Sequence, residues 1–333
     1  MIRTAVVGYG YWGPNLARNV AQLENAELTE ICDENPVRLA QAESQFHGPR
    51  FSRNLLYVLS NPQIDAVVIA TPAGMHYDMV KAAIAHGKHV LVEKPLALAL
   101  EQGQELVELA SRMGTVLMVD HTYEYHPAIQ AIEDIVRSGE LGQIWHASSV
   151  RLNLGIVRQN VNVLWNLAPH DISIILRLFA EEPNSVEATG GCYLQNGIED
   201  VAAVAMSFPS GRVAHIYVSW LSPRKTRELT LVGETQMLVF DETLPEARVK
   251  IYDKGIAQQM DSGSYGEFFT LRHGGIYCPH IPSHEPLRLA VEDFIHAIET
   301  GTSPRSDGEA ALAVLRVLSR AEASLAQKRA EFT

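Results

Sequence analysis

Only three cysteines, Cys32, Cys192 and Cys278, occur in 333 residues, too scattered for a disulfide framework and nowhere arranged as C-x-x-C. A reducing, cytoplasmic setting is therefore expected. Cys278-Pro-His280 with His284 superficially suggests a metal site, but it matches no standard zinc spacing and lies in a proline-rich loop, so no metal is expected. No apolar run approaches the length of a membrane span, and the opening MIRTAVVGYG passes straight into a glycine motif, unlike a secretory leader. No membrane association is expected. Basic excess is also missing: 27 Lys and Arg stand against 39 Asp and Glu, a formal net charge of -12. That argues against nucleic acid as a partner and requires any anionic ligand to be met by a local cluster of Arg and Lys. Internal repeats, low-complexity tracts and long linkers are absent as well.

What is present fits an ordinary globular chain, 47% hydrophobic and 20% charged, long enough for two domains. Apolar β-branched runs at Thr4 to Gly8, Leu28 to Cys32, Ala66 to Ala70, Val90 to Val92 and Val116 to Val119 alternate with segments of helical period such as Tyr77 to His86 and Glu101 to Met113. Alternation of this kind predicts a doubly wound parallel sheet. It stops near Asp120. After a helix over Pro127 to Ser138, strands are expected at Ile144 to Leu152, Ser185 to Leu194, Val201 to Phe208, Arg212 to Trp220, Glu228 to Val232 and Gln236 to Phe240, with hairpin turns in PSGR and VGET. A helix over Asn166 to Phe179 interrupts them, and two helices close the chain, one through Val291, Phe294, Ile295 and Ile298, the other from Ala311 to Leu325. The fold class is thus an α/β Rossmann domain, residues 1–122, followed by an α+β domain, residues 123–333, with a large, mostly antiparallel open sheet; the closing helices could pack back on the first domain.

Gly8-Tyr-Gly10-Tyr11-Trp12-Gly13 follows the first strand and opens the first helix, and Asp33 ends the second strand. Together they make a dinucleotide fingerprint: Gly8 for the tight turn, Gly10 for approach of the pyrophosphate, Gly13 for close helix-strand packing, with the helix N-terminus facing the phosphates. Asp33 is expected to accept from the adenosine ribose hydroxyls. With Glu34 beside it a 2'-phosphate would meet two negative charges, so NAD is favoured over NADP.

The stretch ATPAGMHYDMVKAAIAHGKHVLVEKP, Ala70 to Pro95, resembles the glucose-fructose oxidoreductase, inositol dehydrogenase and rhizopine-catabolism family, Gfo/Idh/MocA. The resemblance rests on the E-K-P tripeptide, the GKHV lead-in eleven residues after His76, His170 in NLAPHD and the closing helices after Ser306-Asp307-Gly308. It implies alcohol-ketone redox chemistry on a sugar or cyclitol. Lys94 would hydrogen-bond the reacting oxygen and His170 would accept its proton, although a packed or solvated histidine is the ordinary alternative. Glu93 would orient the lysine or the cofactor; Thr71, Pro72 and His76 would line the cofactor pocket, or merely punctuate turn and helix. The Lys94-Pro95 peptide is a candidate for the cis form. Relatives often carry Asp four residues before the catalytic His, where this chain has Asn166. An Asn can orient the imidazole without strengthening it as a base, and it can equally be the cap of its helix, with Pro169 in the first turn. Asp171, about 100° around the helix, is a poor replacement.

Arg151, Asn153 and Arg158 lie before the His170 helix, in a run similar to those of members acting on nucleotide-linked sugars; phosphate recognition and ordinary ion pairing compete there. His121, Tyr123 and Tyr125, with Arg224 and Lys225, are candidates for the substrate cleft or for core packing. The leading reading is an NAD-dependent sugar dehydrogenase, the substrate nucleotide-linked. A free-sugar or inositol dehydrogenase and a catalytically silent NADH sensor stand beside it. A homodimer or homotetramer through the C-terminal sheet is expected.

Overall fold

The computed structural model describes residues 1–155, 157–159, 161–258 and 269–331. The chain divides into two compact units, Met1–Tyr125 with His284–Arg316, and His126–Ser283 with Val317–Thr333.

In the first unit the elements run β1 (Ile2–Val7), α1 (Gly13–Ala21), β2 (Ala26–Cys32), α2 (Pro36–Gln45), β3 (Arg50–Ser52), α3 (Leu55–Ser60), β4 (Ala66–Ile69), α4 (His76–Ala85), β5 (His89–Glu93), α5 (Leu100–Met113) and β6 (Leu117–Asp120). The parallel sheet has the order β3-β2-β1-β4-β5-β6, the doubly wound arrangement. Its central strands are covered on both faces, which is why β4 is a run of Ala, Val and Ile buried throughout. Asn35 and Asn54 cap α2 and α3 by accepting from backbone amides two residues on, and Gly114, at φ 65, ends α5 in the left-handed region. The three-residue β3 and six-residue α3 are elements that sequence periodicity did not predict; both are too short to show a period.

The second unit contains α6 (Pro127–Ser138), β7 (Ile144–Leu154), α7 (Val163–Phe179), β8 (Ser185–Gly191), β9 (Val201–Ser207), β10 (Val213–Ser219), β11 (Leu221–Gly233), β12 (Met237–Asp241), β13 (Val249–Gln258) and β14 (Phe269–Tyr277). Among the described residues they form an eight-stranded sheet in the order β14-β13-β12-β11-β7-β10-β9-β8. Pairing is antiparallel except between β7 and β10. Alternating burial along β9 and β10 turns one face toward α7, which packs on β7, β9 and β10. The hairpins at PSGR and VGET form as expected, Gly211 at φ 85. Strands β13 and β14 extend the sheet beyond the expected set, and β11 begins seven residues earlier than expected, because Leu221 already pairs with Leu154 across an irregularity.

The chain closes with α8 (Pro286–Thr300) and α9 (Gly308–Glu331). Phe294 and Ile295 of α8 share one apolar layer of the first unit with Leu16, Ala17 and Val20 of α1, while Val80, Ile84 and Leu106 belong to the layer on the opposite face of the sheet. The first turns of α9 belong to the first unit and the remainder to the second. No described helix is long and apolar enough to cross a membrane.

Candidate functional site

In the first unit the candidate residues gather at the C-terminal ends of the parallel strands, where open α/β sheets bind ligands. Gly8 has φ 93, and a Cβ there would lie 2.6 Å from the Ala70 carbonyl oxygen; a Cβ on Gly13 would lie 2.1 Å from the Gly8 carbonyl oxygen. A side chain at Gly10 would meet nothing nearer than the Arg38 guanidinium at 3.8 Å. Gly8 and Gly13 are therefore demanded by the fold, whereas no close contact of the fold demands a glycine at Gly10. Trp12, the N-cap of α1, makes no side-chain capping bond; Pro14 carries no amide N–H and the Asn15 amide donates to the Trp12 carbonyl at 3.0 Å, so of the first three helical residues the Gly13 amide is the one suited to phosphate. The residues present fit a dinucleotide.

Asp33 is buried, its Oδ2 accepting from the Tyr9 amide at 2.6 Å and its Oδ1 from the Asn35 amide at 2.8 Å. The carboxylate thus shapes the glycine turn, and each oxygen keeps a second lone pair for a ribose hydroxyl. Arg38 lies 3.6 Å from Asp33 Oδ2, a cation that sequence reasoning did not weigh. Tyr11 is exposed and stacks on Trp12 with ring centroids 6.2 Å apart.

His76 is buried, with Nδ1 2.7 Å from the Pro95 carbonyl and Nε2 2.8 Å from the Thr71 carbonyl. It braces the end of β4 against the E-K-P turn. Burial holds its pKa below the ordinary value although the two carbonyls favour the charged form. Pro72 is exposed beside it. The Lys94-Pro95 peptide is cis. Lys88 of the GKHV motif is structural: its ammonium donates to the carbonyls of Asn61 and Ile64.

Glu93 and Asp120 are paired in register at the ends of β5 and β6. Asp120 also accepts from the Thr122 hydroxyl at 2.7 Å and the Trp12 indole at 3.4 Å. Burial raises the pKa of both carboxyls, Glu93 well above the ordinary range, with the Asp120 charge adding to its shift and Lys94 opposing it. His121 is buried, pushed down to about 3 by desolvation and then by the Lys94 charge, so it is neutral at physiological pH. Its ring nitrogens have no hydrogen-bond partner among the described residues. Sequence reasoning passed over Asp120, although the strand-end position that singled out Glu93 applies to it equally. Tyr123 is partly exposed, whereas Tyr125 is core, its hydroxyl donating to Asp293 at 2.7 Å.

In the second unit His170 and Asn166 lie one turn apart on α7, half-buried together with Leu167 on a helix that is otherwise mostly buried. The cap of this helix is Asn162, not Asn166: its Oδ1 accepts from the Trp165 amide, and its Nδ2 donates to Glu199 and Glu322. The helix starts earlier than its apolar period suggested because partners distant in sequence pin Asn162. Pro169 consequently sits in the interior, seventh in the helix, and supplies no amide to the Trp165 carbonyl. Asn166 Oδ1 accepts from the indole of the buried Trp220 at 3.1 Å. Asp171 points to the sheet and binds Arg151 Nε at 2.8 Å and the Ser149 hydroxyl at 2.7 Å. For Arg151 ion pairing is thus the arrangement observed, its side chain 7% exposed. Asn153 is half-buried on β7, while Arg158, Arg224 and Lys225 are exposed. Cys278, His280 and His284 are exposed as well.

Two family profiles match the chain, one described as an oxidoreductase family with an NAD-binding Rossmann fold over residues 2–121, the other as the GFO/IDH/MocA C-terminal domain over residues 129–239. The chain belongs to the Gfo/Idh/MocA oxidoreductase family. As a Gfo/Idh/MocA member it is an enzyme with an NAD(P)-binding Rossmann domain. Family relatives include UDP-N-acetylglucosamine 3-dehydrogenase of Acidithiobacillus ferrooxidans, 27% identical and covering 94% of each chain. A solved structure of that enzyme superposes with a TM-score of 0.80 at 25% identity over 97% of both chains. scyllo-Inositol 2-dehydrogenase (NAD(+)) of Bacillus subtilis is 26% identical, covering 91% of this chain and 88% of its own. 2,7-Anhydro-N-acetylneuraminate hydratase of Escherichia coli is also 26% identical, over 99% of this chain and 96% of its own.

Proposed function

We propose that this protein is an NAD-dependent dehydrogenase that interconverts a ring hydroxyl and a ketone of a sugar, the substrate being nucleotide-linked. The observation that carries the reading is Lys94 at the C-terminal end of β5, next to the register-paired buried carboxyls of Glu93 and Asp120 and close to a neutral His121, in the unit that bears the glycine turn. A bound nicotinamide supplies the hydride acceptor. Lys94 donates a hydrogen bond to the reacting oxygen and stabilises its alkoxide character. His170 accepts the hydroxyl proton, and Asn166, held by Trp220, orients the imidazole. His121, with ring nitrogens that have no protein partner among the described residues, bonds a substrate hydroxyl, and Tyr123, Asn153 and Arg158 complete the recognition. Arg151 is left out of the substrate set because Asp171 holds it.

A nucleotide-linked substrate is favoured by the likeness to the UDP-N-acetylglucosamine 3-dehydrogenase, and an inositol or free sugar is the second reading on the likeness to the inositol dehydrogenase. NAD is preferred to NADP because the buried Asp33 and the adjacent Glu34 oppose a 2'-phosphate, although Arg38 works the other way. A lower Michaelis constant for NADP would overturn that preference. Self-association uses the exposed face of the eight-stranded sheet, where Trp145 and Tyr217 are exposed, and light scattering tests it.

The deciding experiment follows nicotinamide absorbance in both directions against nucleotide sugars, their free sugars and inositols, beside Lys94→Ala. Lysine-dependent turnover restricted to nucleotide-linked compounds supports the reading, and turnover of free polyols replaces it with the second. Because a hydratase occurs among the relatives, product analysis accompanies the absorbance. No turnover and no new product despite tight NADH binding would favour a sensor.

A further inference from the structure

β6 is the last strand of its sheet among the described residues, and yet its end carries the buried Asp120 and His121. The connection between α8 and α9 covers the outer edge. The Val119 amide donates to the Ser306 carbonyl at 3.0 Å, the Ser306 hydroxyl donates to the Val119 carbonyl at 2.7 Å, and Met118 bridges Asp307 in antiparallel register. The same Val119 carbonyl accepts from the His121 amide at 2.7 Å, closing a three-residue turn, and the His121 carbonyl accepts from the Glu124 amide at 2.8 Å. A turn of 3₁₀ helix, Thr122–Tyr125, follows. At its end the Tyr125 hydroxyl accepts from the Ser306 amide at 3.2 Å and donates to Asp293 Oδ2 at 2.7 Å, the oxygen that also accepts from the Arg305 amide at 2.7 Å. Ser306 is wholly buried, with amide, hydroxyl and carbonyl all committed. His121, by contrast, has no anchor of its own: neither ring nitrogen meets a hydrogen-bond partner among the described residues, so backbone and packing fix where the imidazole lies.

We infer that Asp293, Tyr125 and Ser306 form a clamp that positions His121, gripping the backbone on both sides of it so that an imidazole without a side-chain anchor is presented in one place. The three are positioning residues that act through the turn. A buried polar ring with unmet hydrogen-bonding groups is costly by itself, and a ligand that arrives to meet them needs it in a fixed place. Misplacement by about 1 Å costs on the order of 10²-fold in rate. The consequence for substrate rests on the reading of His121 proposed above, whereas the placement of the ring does not.

The test is imidazole NMR of the full chain, the His121 signals assigned by their loss in His121→Asn, beside kinetics on the compound of the panel that is turned over. In the parent the ring, pushed down to about 3, is neutral at about pH 5. Tyr125→Phe, Ser306→Ala and Asp293→Ala should each shift or broaden its signals and, by admitting water to the loosened turn, let it titrate closer to the ordinary 6.5. Asp293→Asn keeps an acceptor for both donors and should restore the parental signals. Ile84→Ala, a cavity in the layer on the opposite face of the sheet, lowers stability without touching the clamp and should leave the ring as it is. Parental signals in all three clamp variants, or an equal shift in Ile84→Ala, would overturn the inference. In the clamp variants kcat/KM should fall on the order of 10²-fold with NADH affinity kept, and His121→Asn should lose at least as much. If His121→Asn keeps full kcat/KM while the ring signals respond to the clamp variants, the proposed role of His121 fails and the clamp stands.

Discussion

Polar side chains are held by different means in the two units. At the strand ends of the first, Gly8, Asp33, Thr71, Glu93, Lys94, Asp120 and His121 each follow or close a strand of one parallel sheet, so topology alone brings them to a common edge. On α7 of the second, Asn162, Asn166 and Asp171 are held by Glu199 and Glu322, by Trp220, and by Arg151 with Ser149, partners from 20 to 160 residues away. A strand-end group, placed by the backbone of the sheet, should keep its position when one neighbouring side chain changes. A helix face pinned by one or two long-range partners per residue should be more fragile.

Four measurements can break or sharpen this contrast. The largest effects are expected at the proposed chemistry, where Lys94→Ala and His170→Ala should each lower turnover on the order of 10²–10⁴-fold while NADH binding, read by fluorescence, persists. Loss of NADH binding in His170→Ala would instead give α7 a structural role toward the cofactor. Next, Asp171→Ala removes the nearer of two carboxylates beside the buried Arg151, Glu242 remaining at 3.9 Å, and should cost about 3 kcal/mol in denaturant unfolding, the low end for a broken buried pair. Replacing both partners by apolar residues should recover most of that loss, and failure to do so would mean that the pair specifies the fold of the second unit.

The glycines separate packing from binding within the first unit. Gly13→Ala drives a methyl group against the Gly8 carbonyl and should lower stability by roughly 1–3 kcal/mol. Gly10→Ala meets open space, so its stability should stay within about 0.5 kcal/mol of the parent while NADH affinity collapses. Equal melting temperatures for the two variants would contradict the division of roles. The smallest effect is the pH slope. His76 and His121 have depressed folded-state pKa values, so the stability they contribute is complete above their unfolded value of 6.5 and is lost as pH falls below it. Each should contribute up to about 1.4 kcal/mol per pH unit, and His121→Asn should flatten the acid limb measured by unfolding.

The same contrast decides how much was legible beforehand. The Rossmann sheet, the glycine turn, the E-K-P strand end and the mostly antiparallel second sheet follow from local signals: β-branched runs, helical period and turn residues. The cap of α7 did not, because Asn162 and Asn166 are chemically equal candidates, and contacts to Glu199 and Glu322 decide between them. Arg151 stood between phosphate recognition and ion pairing, and Tyr125 between substrate cleft and core, while only their type and order were known; burial against Asp171 and Asp293 gives them structural partners. The pairing of Asp120 with Glu93 was hidden for a related reason: 27 residues separate them, and only the parallel register of β5 and β6 makes them neighbours.

By itself the sequence determined the two-part architecture, the family and the dinucleotide turn, since each is written in residues adjacent along the chain or spaced by one helical or strand period. The tertiary structure alone decided which polar groups are paired, buried or neutral. Pairing and desolvation depend on distance through space, and a neighbour brought by another strand or helix leaves no periodic trace in the chain.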